Sequence, residues 1–174
     1  GDSDLPPHCA DADDLVPHVA EIFQRAFSDE PLTLMGFSFG GMLAGMLAAE
    51  CPQAVKQMIL VGVPGLGLFG RKLPMRGMHP DMSDAQQREV HRHNLSTMML
   101  YDAACINDEL IDLQAGNVSR DRLRRRRISN TDIVAQLQTH WSMPVYGVWG
   151  EHDALYKDTM DDIPKVLNHL QAFE

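Results

Sequence analysis

Hydrophobic residues in this chain follow two regimes: short apolar runs bounded by glycine or proline, and longer stretches at helical spacing. Leu15, Val19, Ile22, Phe23 and Phe27 recur at helical spacing. The acidic cluster at 11–14 suits the start of that helix, where carboxylates cap N–H groups and meet the positive end of the dipole. Pro17 is expected in the first turn, where a helix tolerates it. Asp29-Glu30-Pro31 reads as a turn, and residues 32–35 as a short buried strand. Residues 39–50 then read as a helix rich in Ala, Met and Leu. Its small residues, Gly41, Ala44, Gly45 and Ala48, let its backbone lie close to a sheet. Cys51-Pro52 ends it, residues 56–61 read as a second strand, and Gly62-Val63-Pro64-Gly65 breaks that strand. The result is one strand–helix–strand unit, whose crossover is expected to be right-handed.

Residues 65–137 hold few strand signals and several helical ones. Ser83 is placed to cap a helix over 84–101, with Gln86 or Gln87 near its first turn. Asn107 or Asp108 opens a second helix running to Gly116, and residues 119–127 read as a third, strongly basic one. Strand character returns at 143–149, followed by the turn Gly150-Glu151-His152-Asp153. Residues 161–173 read as a final helix, with Pro164 near its start and Ile163, Val166, Leu167 and Leu170 on one face. The pattern therefore predicts an α/β fold with three sheet strands and a helical insertion.

Composition narrows the setting. A chain of 174 residues with 44% hydrophobic content is globular and large enough for one ordinary core. A formal charge of -9 gives no general attraction to nucleic acid or to an anionic membrane. No apolar stretch approaches membrane-spanning length, and the polar opening Gly1-Asp2-Ser3-Asp4 does not read as a signal peptide. Cys9, Cys51 and Cys105 are widely spaced and odd in number, which argues against a disulfide scaffold. The expectation is a cytoplasmic protein without a nucleic-acid or membrane partner.

The chemistry centres on Gly36-Phe37-Ser38-Phe39-Gly40-Gly41, a G-x-S-x-G sequence between an apolar run and a helix. In such a turn the serine sits at the apex of a strained backbone, with its hydroxyl presented outward. Residues flanking it approach closely, so Gly36 and Gly40 are expected to be required, with Gly41 easing the approach. The Phe39 N–H, at the helix start, is placed to donate to a developing oxyanion. The competing readings are a glycine-rich turn without chemistry and a phosphate-binding turn. The latter lacks both the G-x-G-x-x-G spacing and a P-loop lysine.

Asp153 follows the last apolar strand, at the sheet edge where ligands bind in open α/β sheets. It is the candidate acid that orients a histidine, with Glu151 as rival. The base is harder to find. His140 precedes the acid's strand, His152 adjoins Asp153, and His169 sits within the expected last helix. His91 and His93 lie two apart and do not share a helix face, so with Glu89 they make a poor metal set. His79 and Asp81 sit in a Pro-rich loop and are candidates to line a pocket mouth. Arg122 and Arg124 to Arg127 read as a solvated face, and the tryptophans and eleven methionines as core or pocket lining. No cofactor or metal motif stands out.

The elbow sequence, Gly62-Val63-Pro64 and Val148-Trp149-Gly150-Glu151-His152-Asp153 together resemble a lid-bearing α/β-hydrolase. Gly1-Asp2-Ser3-Asp4 resembles the segment after the fourth core strand of that family. The resemblance implies a three-layer fold with a mostly parallel sheet, Ser38 as nucleophile, Asp153 as acid and Phe39 as one backbone oxyanion donor. Residues 1–64 and 138–174 would form the core and 65–137 the lid. It also implies that this chain is an internal fragment carrying strands five to seven. The first four strands, the second oxyanion donor and the last strand with the catalytic histidine would lie outside it. The implied reaction is ester hydrolysis through an acyl-enzyme, with carbon–carbon cleavage of β-diketone-like substrates as an alternative. A further alternative is a non-catalytic fragment or a binding protein. Sheet edges left open in a fragment would favour self-association.

Overall fold

The computed structural model describes residues 6, 8, 9, 11–27, 30–68, 72–121, 123 and 127–174. The opening Gly1-Asp2-Ser3-Asp4, Asp29 of the expected turn, and Arg122 and Arg124 to Arg126 of the basic run lie outside the described residues.

The first element among the described residues is helix α1 (Ala12–Ala26), whose start is tied by the Asp11 N–H donating to the Asp14 carboxylate at 3.4 Å. Strand β1 (Leu32–Phe37), helix α2 (Phe39–Glu50) and strand β2 (Val55–Val61) follow. Two longer helices come next, α3 (Asp84–Asn94) and α4 (Asp108–Ser119), then a short one, α5 (Ile133–Leu137). Strand β3 (Val145–Val148), the single turn α6 (Ile163–Val166) and strand β4 (Leu170–Phe173) complete the order. The strands form one sheet in the order β1-β2-β3-β4, and all three pairings are parallel. With helices and helical insertions around this sheet, the architecture is three-layer α/β, as the sequence leads one to expect.

The main core gathers around β2 and α2. Met42, Met58, Leu60, Val63, Val134, Val145, Ile163 and Leu167 are fully buried in it. Trp141 locks one flank, donating from Nε1 to the Gly45 carbonyl at 2.9 Å. Val134 of α5 belongs to this core, and α5 packs on α2. A separate small cluster, Leu95, Ile106 and Ile111, lies within the α3–α4 region.

Several expectations need correction. The sheet has four strands, because the expected last helix is only the turn α6. Its apolar spacing fits either structure, and ladder pairing of Val145 with Leu170 and Gly147 with Phe173 decides for strand. Trp149 and Glu174 extend that ladder, the Trp149 N–H donating to the Glu174 carbonyl at 2.7 Å. His169 therefore stands in the turn before β4 rather than in a helix. Pro17 lies past the first turn of α1, at the cost of one internal hydrogen bond. The buried stripe of α1 is Ala12, Val16, Ala20 and Phe23, while Val19, Ile22 and Phe27 are exposed. The small alanines allow α1 close contact with α2.

Ser83 caps α3 through a capping box with Gln86, as the spacing predicts. The helix does not continue regularly to Tyr101. After Asn94 the backbone widens into a π-type turn over Leu95–Met99, where the Leu100 N–H reaches the Leu95 carbonyl at 2.9 Å. The expected basic helix is absent at the described positions 120, 121 and 123.

Candidate active site

Parallel strands bring their C-terminal ends to one rim, and there the candidate residues collect. Ser38 occupies the single residue between β1 and α2, with φ 50° and ψ -125°. Among the described residues it is the only non-glycine with positive φ. An L-residue held there carries about 1–3 kcal/mol of strain, sustained by the surrounding structure. The restraint is visible. The Ser38 N–H donates to the Val61 carbonyl at 2.8 Å, and the Ser38 carbonyl accepts from the Gly41 N–H at 2.9 Å.

The glycine requirement differs from the sequence expectation. A Cβ on Gly36 would lie 2.5 Å from the Gly40 oxygen and 2.5 Å from the Gly41 Cα. One on Gly41 would lie 2.7 Å from the Gly36 oxygen. A Cβ on Gly40 would meet nothing within 4 Å. The tight pair is thus Gly36 and Gly41, because the first turn of α2 swings the Gly41 backbone, not the Gly40 α-carbon, over the end of β1.

Beside Ser38, Gly62 ends β2 with φ +52°. Its N–H donates to the Val148 carbonyl at 2.9 Å, joining the ends of β2 and β3. A side chain there would come within 3.2 Å of Asp153 Oδ2. The acid thus reaches from the loop after β3 to the residue that follows β2. Its other oxygen, Oδ1, accepts from the Leu155 N–H at 2.9 Å. Burial pushes the Asp153 carboxyl up from its ordinary range, partly offset by that hydrogen bond. The loop is pinned from below by Tyr156, whose hydroxyl donates to the Val63 carbonyl at 2.6 Å. Burial, and then the Asp153 charge, push the Tyr156 phenol up.

The histidines stand apart from this pair. The His152 ring stacks on Tyr101, with centroids 3.8 Å apart and planes 25° apart. Among the described residues, no histidine is hydrogen-bonded to Ser38 or Asp153. The buried His91 and the half-buried His93 lie on α3, and His93 pairs with the Pro74 carbonyl at 2.8 Å. Arg76 reaches Glu89 at 3.8 Å, so that carboxylate faces a cation.

A cavity of about 580 Å³ opens over Ser38 and Phe39, and a second of about 920 Å³ lies against Phe37, His152 and Asp153. Leu73, Met98 and Leu155 line both. Leu73 and Met98 come from the insertion, so that segment roofs the rim with apolar side chains. Sequence reasoning passed over the Tyr101–His152 stack and the Gly62–Asp153 approach. Gly62 carried a signal, as a glycine at the strand end opposite the elbow.

A family model described as alpha/beta hydrolase fold matches residues 1–104. The chain belongs to the alpha/beta-hydrolase family. No curated protein sequence matches it. Among solved structures, a meta-cleavage product hydrolase from Pseudomonas fluorescens IP01 (CumD) superposes with TM-score 0.72 at 19% identity, over 99% of this chain and 66% of that one. A putative lipase from Acinetobacter baumannii AYE gives 0.68 at 16% identity, over 100% of this chain and 61% of that one. A putative aryl esterase from Burkholderia cenocepacia gives 0.64 at 17%, over 99% and 66%. At these identities the likeness is one of fold. This hydrolase-family chain spans less than two thirds of the lipase and of the meta-cleavage hydrolase. No helix among the described residues is long and apolar enough to cross a membrane.

Proposed function

We propose that the intact protein is a serine hydrolase in which Ser38 attacks a substrate carbonyl and Asp153 orients the histidine that takes the serine proton. The observation that carries this reading is the Ser38 backbone, held at φ 50° at the sheet rim by the Gly36–Gly41 contact. Strain kept at one residue, with an acid across a single glycine, fits a presented nucleophile better than an ordinary turn. The Phe39 N–H, first in α2, is one donor to the tetrahedral oxyanion, aided by the helix dipole. The proton acceptor is a histidine other than His140, His152 and His169. His152 is engaged by Tyr101, and His140 and His169 are exposed. Within residues 65–137, the part outside the core that Leu66 and α5 join acts as the lid over a small-molecule substrate.

Two carbonyl substrates fit the apolar roof: an ester and a β-diketone-like compound cleaved at carbon–carbon. The second is favoured by the higher TM-scores of the meta-cleavage product hydrolase, 0.72 and 0.71, over that of the putative lipase. In either case the Ser38 oxygen gains an acyl group. The leaving alkoxide or carbanion takes up a proton, and water then releases the acid. A fluorophosphonate probe tests the nucleophile: it should label the intact protein once, at Ser38, and not label Ser38→Ala. Turnover of a β-diketone-like dienoate above that of a nitrophenyl ester supports the carbon–carbon reading, and the reverse order supports the esterase. No labelling of the intact, folded protein would sink both.

A further inference from the structure

A second cluster of chemically capable side chains lies at the start of α1. His8 is exposed, Cys9 is buried, and His18 is half-buried on the helix. One donor atom from each lies within 4.8 Å of the other two. The Nε2 atoms of His8 and His18 are 3.4 Å apart, with ring planes tilted by 56°. None of the three lines either cavity at the rim. The hydrolase reading makes no use of them.

We propose that His8, Cys9 and His18 bind a transition-metal dication of the zinc class, through the two Nε2 atoms and the Cys9 sulfur, with solvent in the fourth position. Two imidazole nitrogens on one tetrahedral ion, each about 2.0–2.1 Å from the metal, stand about 3.3–3.4 Å apart. The observed separation is that edge length. A thiolate at about 2.3 Å would sit about 3.6 Å from each nitrogen, within reach of a cysteine side-chain rotation. Two nitrogens and a sulfur suit zinc, cobalt or copper and repel magnesium and calcium, which take oxygen ligands.

Two hydrogen bonds position Cys9. The Cys9 N–H donates to the Pro6 carbonyl at 2.9 Å, which closes a turn and presents the thiol to α1. The thiol donates to the Asp14 carbonyl at 3.5 Å, one helical turn before His18. Metal entry replaces the proton that the Cys9 thiol shares with the Asp14 carbonyl: one S–H bond breaks, one S–metal bond forms, and H⁺ leaves to solvent. Asp11 at the N-cap and Asp13 and Asp14 in the first turn of α1 make this end of the chain acidic. The bound ion would fasten the segment before α1 to that helix.

Cobalt(II) titration of chelator-treated protein tests this. The exposed Cys105 is first replaced, Cys105→Ser, to remove a competing thiol. The expected result is a thiolate-to-cobalt charge-transfer band with tetrahedral visible bands, saturating at one ion per chain and displaced by Zn²⁺. A change outside the first ligand sphere already costs about 10–100-fold in affinity, so His8→Ala and His18→Ala should each cost at least that. Neither histidine is buried, so both variants should fold normally, as circular dichroism would check. Cys9→Ser should abolish the charge-transfer band, and if that variant fails to fold, the two histidine variants decide. Absence of the band, or undiminished affinity in either histidine variant, would overturn the proposal.

Discussion

The sheet rim and the α3–α4 pair are built by opposite means. At the rim, Ser38, Gly62 and Asp153 are fixed by backbone: a strand ladder, a glycine contact and a tyrosine tie. Beneath them runs a continuous core with many fully buried side chains. The α3–α4 pair has only a small cluster of its own, Leu95, Ile106 and Ile111, with Val90 and His91 of α3 also buried. To this it adds surface charge. Arg88 pairs with both Asp108 and Asp112, and Arg92 lies 3.7 Å from Asp108. Exposed pairs of this kind contribute little and are screened by salt. The contrast teaches that placement and shape are separate demands. A strained serine needs an unyielding frame, whereas a roof over a cavity can be tied down locally and lightly.

The comparison can be broken most forcefully at its centre. Ser38→Ala in the intact protein should lower kcat by about 10⁴-fold or more while leaving the fold unchanged, measured by turnover and circular dichroism. Ser38→Gly should lose activity equally but raise thermal stability, because glycine adopts φ 50° without strain. The elbow glycines come next. Gly36→Ala should destabilise by about 3 kcal/mol or more in denaturant titration, because the new carbon meets backbone that cannot yield. Gly40→Ala should be neutral or stabilising by about 0.5–1 kcal/mol, as expected for an unobstructed helical glycine.

The two cores separate under truncation. Met58→Ala should cost about 2–5 kcal/mol and speed amide exchange throughout the sheet. Ile111→Ala should speed exchange in α3 and α4 while β1, β2 and β3 stay protected, because its cluster is separate from the main core. Uniform loss of protection would merge the two regions into one unit.

The smallest effect belongs to Asp153. Its folded pKa lies above the ordinary value of 3.8, so the native state binds more protons than the unfolded state between the two values. Stability therefore falls as pH rises through that window, and the penalty is complete above it. Asp153→Asn keeps an oxygen for the Leu155 N–H. It should be more stable than the parent at pH 7, and the difference should vanish below about pH 3.8. Thermal melts across that range would check the sign.

Legibility followed the length and isolation of each signal. Helix α2 and strands β1 and β2 were readable because glycine or proline bounds each apolar run. Strand β4 was not, since four residues with Leu170 and Phe173 apolar fit a helix turn and a strand alike. Ser38 and Asp153 stood out because each follows an apolar strand in a short turn. The close approach was expected at Gly40, with Gly41 only easing it, and falls at Gly41 instead, because the clash depends on how α2 leaves the strand. His8, Cys9 and His18 are brought together by the turn at Cys9 and the start of α1, and their spacing alone matches no ligand motif.

The Tyr156 hydroxyl, bonded to the Val63 carbonyl, has a consequence in alkali. A free phenol ionises near 10.0 and can then no longer donate, but this one resists ionisation while the protein is folded. The tie beneath the Asp153 loop should therefore outlast the pH at which exposed tyrosines lose their protons. The cost falls on the unfolding equilibrium. The unfolded chain releases that proton above about pH 10 and the native chain does not, so each further pH unit favours unfolding. In strong base the molecule should keep its acid loop in place until it comes apart as a whole.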